Sequence, residues 1–330
     1  MSSTLQSRIK KLAGVAYRYL SITYALFISI LITASFFGTH GRLLEILANL
    51  RLQLTCLLAL GVFLLIPITN RKVILAPLAV LLICLTDVAQ FYISPQYNAA
   101  DTPFRLVTAN VNTVNKNREK ILKVLKNTDA DIICIQELTA DLADYLCKNM
   151  PEYPYQMLNP DDGYFGIGLF SKVPLDESKR LKLSNSDILT QTAIVNIKNT
   201  SIRIINTHPI APLNNEFLSM RNKQLENLAT LCRESNLPVV LAGDLNVTQF
   251  SPHFKNLLKT GKLKDSSRGF GYQPTWPAQL PLLNKISECP LFRIPLDHVL
   301  VSGDIQVRSV ELLPSIGSDH LAVEAVLSIN

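Results

Sequence analysis

Residues 131–137 read DIICIQE, and this stretch decides the fold class. Ile132, Ile133, Cys134 and Ile135 form a short β-rich apolar run between polar ends, the pattern of a strand buried inside a sheet. The same pattern recurs on either side. Residues 104–111 (FRLVTANV) read as a strand, and 117–126 as an amphipathic helix joining it to 131–136. Further strands are expected at 165–170, 192–197, 202–206, 238–242, 298–301, 305–312 and 321–327. A helix over 214–235 places Phe217, Gln224, Leu225, Leu228 and Leu231 near one face. Many strands and few helices in about 230 residues point to two sheets packed face to face with helices outside.

The first 93 residues differ in kind. The chain of 330 residues is 48% hydrophobic, and the apolar excess lies at its front. Residues 1–93 hold 8 of the 32 Lys+Arg and, of the 26 Asp+Glu, only Glu45 and Asp87. Residues 94–330 therefore carry 24 basic and 24 acidic side chains, and the +6 net charge belongs wholly to the front. Three uncharged or nearly uncharged runs, about 19–38, 52–70 and 73–93, are expected as transmembrane helices, with Asp87 near the far end of the third. Arg8, Lys10, Lys11 and Arg18 before the first run could also open a signal peptide, but two more apolar runs follow it.

Orientation follows from Lys and Arg near the span ends. Those four and Arg71-Lys72 stand against Arg42, Arg51 and Arg105, which places the N-terminus inside. An odd number of spans then puts the domain after them outside the cytoplasm, in a bacterium on the outer side of the inner membrane. A polar segment with two prolines, 94–103 (SPQYNAADTP), reads as the linker between a membrane anchor (1–93) and a catalytic domain (104–330). The six cysteines show neither metal-ligand spacing nor a disulfide framework. A neutral domain lacks the basic footprint of a protein that grips nucleic acid non-specifically.

Chemistry-bearing residues gather at expected strand ends: Asn110 and Asn112, Gln136-Glu137, His208, Asp244 and Asn246, Asp297-His298, and Asp319-His320. Any one alone reads as a cap or a turn. Taken in order, the blocks TANVN (108–112), DIICIQE (131–137), NTH (206–208), GDLN (243–246) and SDH (318–320) resemble the endonuclease/exonuclease/phosphatase superfamily, which includes deoxyribonucleases, sphingomyelinases and inositol phosphatases. Asp297 in PLDHVL (295–300) fits that family's aspartate-bearing strand. The three apolar runs, His208-Pro209 and TWP (275–277) are similar to a bacterial integral-membrane subgroup.

The resemblance implies a four-layer α/β sandwich of two packed mixed sheets flanked by helices, here preceded by three transmembrane helices. It also implies a hydrolase of phosphoesters that uses Mg²⁺, or Mn²⁺ in its place. A hard cation takes oxygen ligands, and Glu137 is expected to supply one, with Asn110 beside it and Asp319 as a ligand of a second site. Asp244 and Asn246 are expected to position the attacking water and the phosphoryl oxygens. His320 is expected as the acid/base group held by Asp297, and His208 as a donor to phosphate. Asn112 and Arg221 are expected to contact substrate, while a surface salt bridge is the competing reading of Arg221. His298 should face away from its neighbour Asp297 and be structural.

The expected substrate is a phosphorylated group at the bilayer surface, a phospholipid or a lipid-linked pyrophosphate. A Mg²⁺-dependent nuclease is the alternative, and a non-catalytic membrane-binding protein is the third reading.

Overall fold

The computed structural model describes residues 3–67, 71–93, 103–279 and 289–329. The chain divides into two compact units. One comprises Met1–Gln90 with Phe250–Pro252, and the other Phe91–Gln249 with His253–Asn330.

In the N-terminal unit, α1 (Ser3–Ser35) is followed by α2 (Arg42–Asn49), α3 (Arg51–Leu65) and α4 (Leu75–Ala89). Two helices, Leu5–Ser35 and Arg71–Ala89, are long and apolar enough to cross a membrane. The expected second span, 52–70, departs from expectation. Its helix α3 has only 15 residues, short of the ~20 a bilayer needs. It meets α2 at a 70° bend, so a third crossing exists only if the bent pair acts as one span. The apolar stretches of α1, α3 and α4 carry apolar side chains both inside and outside: Ile28, Ile32, Leu54, Leu58, Leu81 and Cys84 pack together, while Leu20, Phe27, Phe63 and Leu82 stay exposed.

Two charged side chains, Glu45 and Arg51, are nevertheless buried in this unit. Arg51 bonds Asp87 at 3.1 Å and donates to the Ser35 hydroxyl and carbonyl that end α1. Asp87 is thus tolerated among apolar helices because its charge is paired.

The second unit is built on two mixed sheets. Its strands are β1 (Phe104–Asn110), β2 (Ile132–Gln136), β3 (Tyr155–Asn159), β4 (Ile167–Ser171), β5 (Asp176–Lys182), β6 (Leu189–Ile197), β7 (Thr200–Thr207), β8 (Val239–Asp244), β9 (Leu263–Asp265), β10 (Asp297–Ser302), β11 (Ile305–Leu312) and β12 (Val323–Ile329). One six-stranded sheet has the order β11-β12-β1-β2-β4-β3 and the other β5-β6-β7-β8-β10-β9. Each contains one parallel pair at its centre, β1–β2 and β7–β8, among antiparallel neighbours.

The crossovers are α5 (Arg118–Asn127) and α7 (Asn215–Arg233), with α6 (Ala140–Asn149) and α8 (Pro252–Gly261) beside them. Alternation along the strands sorts the core into layers. Leu106, Ile132, Cys134 and Leu169 of one sheet meet Ala193, Ile204, Val240 and Val299 of the other. On the outer faces, Ile133 and Ile135 pack under α5 and α6, and Ile205 and Leu241 under α7 and α8. The result is the expected four-layer sandwich. Residues 94–102 of the expected linker lie outside the described residues, and the second compact unit begins at Phe91, whose ring lies 6.2 Å from that of Tyr272.

Parallel pairing at both centres has one consequence for the site. The C-terminal ends of β1, β2, β7 and β8 open at the same end of the sandwich, where Asn110, Gln136, Thr207 and Asp244 stand. Beneath that end a polar bridge joins the sheets. Gln136 donates to Asn206 at 2.8 Å, and Asn206 donates to Gln191 at 3.1 Å and to the Gly168 carbonyl at 2.9 Å. These amides are fully buried and satisfied, so they fix the register of one sheet on the other.

Candidate active site

Three backbone turns aim the side chains. Asn112, Glu137 and Asn246 adopt left-handed φ of 58°, 58° and 50°, unusual for residues that carry a Cβ. Each follows a strand end and turns the chain sharply there. Gly243 makes a different demand: with φ 147°, an added Cβ would stand 1.9 Å from the Thr207 carbonyl oxygen. Only glycine lets β8 approach β7 so closely beside Asp244.

Asp244 is the centre of the cluster. Its Oδ1 accepts from Asn246 N at 2.9 Å, and its Oδ2 accepts from Asn110 Nδ2 at 3.1 Å. The same Oδ2 lies 3.4 Å from His208 Nε2 and 3.7 Å from His320 Nε2. His320 Nδ1 in turn donates to Asp297 Oδ2 at 2.8 Å. On the other side Asn110 Nδ2 also donates to Glu137 Oε1 at 2.9 Å, while Thr113 N donates to Glu137 Oε2 at 3.0 Å. One chain of contacts thus runs from Glu137 through Asn110, Asp244 and His320 to Asp297. Asp319 borders it, accepting from Asn112 Nδ2 and from Trp276 Nε1.

Burial alone would discharge these groups, but their mutual charges outweigh it. Desolvation works against the His320 imidazolium, yet the charges of Asp297 and Asp244 and the Asp297 hydrogen bond push its pKa up to about 10. His208 is raised as well, against burial, by Asp244 and Glu137. Asp244 is lowered despite burial by the two imidazoles and the Asn246 N–H.

The donor set fits a divalent cation. Four carboxylates, Glu137, Asp244, Asp297 and Asp319, face only two imidazoles, so an excess of negative charge remains in a largely buried cluster. Asp297 Oδ1 is buried with no hydrogen-bond partner among the described residues. Asp244, Asp297 and His320 offer ligand atoms within 4.8 Å of one another, which makes them a candidate metal site. Protonation of His320 competes with that use, because an imidazolium has no free lone pair. The half-buried Glu137 carboxylate carries no such conflict.

The structure gives each of the other expected site residues a set of protein partners. Asn110 Oδ1 accepts from Asn112 N at 3.0 Å, which leaves its amide nitrogen toward Glu137 and Asp244. In this arrangement its amide nitrogen ties the two carboxylates together. Asn112, expected to bind substrate, holds Asp319 with its nitrogen and Val114 N with its oxygen. Asn246 donates to the Pro209 carbonyl at 3.0 Å, locking the loop behind His208. Arg221, expected to reach a phosphate or a surface acid, is fully buried and donates to the Asn246 carbonyl at 3.2 Å. It braces the loop from beneath, since it sits on the inward face of α7 with Leu218, Leu225 and Leu228. His298 faces away as expected, donating to the Val247 carbonyl against the Phe254 ring. Sequence reasoning missed Thr113 altogether. Its shorter contact with Glu137 is a backbone N–H at 3.0 Å, which no residue type announces, beside a hydroxyl contact at 3.4 Å.

A model of the endonuclease/exonuclease/phosphatase family matches residues 107–320, which include every residue of this cluster. The chain belongs to that family. It is a phosphoester hydrolase by that membership. An exodeoxyribonuclease of Bacillus subtilis (strain 168) is 30% identical over 176 residues, 51% of this chain and 67% of that protein. The fold is shared with an endonuclease/exonuclease/phosphatase family protein from Bacteroides thetaiotaomicron at TM-score 0.58 and 17% identity, covering 71% of this chain and 97% of that one. It is also shared with D. rerio TDP2 complexed with single strand DNA product, at TM-score 0.56 and 17% identity over 69% and 99%. Sphingomyelinase C from Streptomyces griseocarneus matches at TM-score 0.51 and 18% identity over 69% and 100%. At such identities these structures establish the fold of the family member and not its substrate.

Proposed function

We propose that this family member is a membrane-anchored hydrolase, dependent on Mg²⁺ or Mn²⁺, whose substrate is a phosphoester at the bilayer surface. The observation that carries the reaction class is the Glu137–Asn110–Asp244–His320–Asp297 chain at the joint end of both sheets, linked by three hydrogen bonds and by the 3.7 Å contact between Asp244 and His320. Glu137 would hold the cation, with Asp319 or Asp244 as further oxygen donors. When bound, a divalent cation neutralises phosphoryl oxygens and the excess charge of the site. Asp244 orients the attacking water and accepts its proton as the new bond to phosphorus forms. His320, kept protonated by Asp297 and Asp244, donates its proton to the leaving oxygen as the bond between that oxygen and phosphorus breaks. His208 donates a hydrogen bond to the phosphoryl group, and Asn246 and Arg221 fix the loop that carries these groups.

Location supports a lipid-linked substrate. Two or three N-terminal helices are apolar enough to span a bilayer, and residues 94–330 are formally neutral. With three spans, Lys and Arg counting would put the domain on the extracytoplasmic side. With two spans it returns to the cytoplasm. The nuclease reading is favoured by the exodeoxyribonuclease relative and opposed by the neutral domain. The deciding assay gives the purified full chain Mg²⁺ and three substrates: DNA, a phospholipid and a polyprenyl pyrophosphate. Turnover of DNA alone would replace the lipid reading with the nuclease one.

A further inference from the structure

Large apolar side chains are exposed on the loops at the active-site end of the catalytic unit. Val114 is 67% exposed, Tyr164 62%, Phe165 37%, Leu213 70% and Phe292 55%. They come from four separate segments, and each segment is tied to the catalytic cluster. Val114 N donates to Asn112 Oδ1, next to the Thr113 N–H that holds Glu137. Tyr164 and Phe165 follow Gly163, whose carbonyl accepts from the Thr113 hydroxyl, and the Phe165 ring lies 6.4 Å from that of His208. Leu213 ends the His208 loop that Asn246 bonds at Pro209. Phe292 lies two residues before Ile294, which bridges to Trp276, and the Trp276 ring stands 6.5 Å from that of His320. Apolar surface carried by segments that are all tied to one polar cluster marks an interaction face.

We infer that Val114, Tyr164, Phe165, Leu213 and Phe292 form a rim that inserts into the lipid surface and presents the catalytic cluster to a phosphoester within the bilayer. The occupant is lipid for two reasons. First, α4 ends at Ala89 and the catalytic unit begins at Phe91, so covalent connection confines the unit to whatever surface that apolar helix reaches. Second, the neutral domain offers no electrostatic route to a polyanion, whereas burial of apolar side chains needs no net charge. The rim deepens the proposed function and rests on it for the substrate, but insertion itself is separately measurable.

Trp276 is the sole tryptophan, so an added one is readable over a small background. The full chain in phosphatidylcholine nanodiscs, with and without brominated acyl chains, is compared as Leu213→Trp and as Tyr155→Trp. Tyr155 is also exposed, but begins β3 at the end of the strand away from the 160–166 loop. Bromolipid quenching at position 213 and not at 155 is expected. No added quenching at 213, or equal quenching at both, overturns the rim. In parallel, Leu213→Ser with Tyr164→Ser should lower the ratio of lipid to water-soluble phosphoester turnover about tenfold or more, as lost apolar burial predicts. An unchanged ratio also overturns the rim. If the unsubstituted chain hydrolyses only soluble esters, the lipid-substrate reading fails while quenching still decides insertion.

Discussion

His320 Nδ1 donates to Asp297 Oδ2 at 2.8 Å, with both residues buried and the second imidazole nitrogen turned toward Asp244. This pairing makes the ring a cation at neutral pH, with its pKa pushed up to about 10 against a normal value of 6.5. The sign is set by the direction of that shift. A raised pKa adds stability that is complete below about 6.5 and is lost as pH rises through about 10. Asp297→Asn keeps the shape and removes the charge, so the alkaline limb of the activity profile should move to lower pH.

His320→Ala should cost ~10²–10⁴-fold in kcat, the usual contribution of a positioned acid/base group. Adding Asp297→Asn to it should cost little more, because both changes act through one ring. The check is a double-mutant cycle with pH profiles. Multiplying losses would show two independent groups.

Glu137→Gln should abolish activity and weaken Mg²⁺ binding while the fold survives, since the amide keeps the size and loses the charge. A chelator should silence the unsubstituted chain, and Mg²⁺ or Mn²⁺ should restore it. Calorimetric titration of Mg²⁺ into both proteins is the measurement. Equal affinities would remove Glu137 from the ligands.

Gly243→Ala should destabilise the catalytic unit by at least ~1–3 kcal/mol, the range of backbone strain at a special φ/ψ. The new methyl must displace the Thr207 carbonyl, which precedes His208. Thermal unfolding followed by circular dichroism should show the lower Tm.

A reporter fused after Asn330 should be active only outside the cytoplasm if the chain crosses three times. The bent α2–α3 pair decides this. Cytoplasmic activity would make it a re-entrant or surface element and leave two crossings.

The sequence by itself determined the central strands and most of the polar cluster. Ile132–Ile135 is legible because a strand buried on both faces is apolar along that run, and Glu137 is legible because it follows Gln136 at the polar end of that strand. Of the four edge strands, β11 was legible at 305–312, whereas β3, β5 and β9 were not. Asp176–Lys182 is polar and almost wholly exposed, as suits a strand edge guarded by charge, so it leaves no apolar signal.

Tertiary structure alone decided which end of each amide faces the site. Asn110 reads in sequence as a ligand and stands in space as a donor, because the Asn112 N–H claims its oxygen. It also decided that Arg221 lies under the Asn246 loop and not in solvent, and that 42–65 breaks into two helices. A residue type announces what chemistry is available, while the partners that fix its orientation come from chain segments up to two hundred residues away.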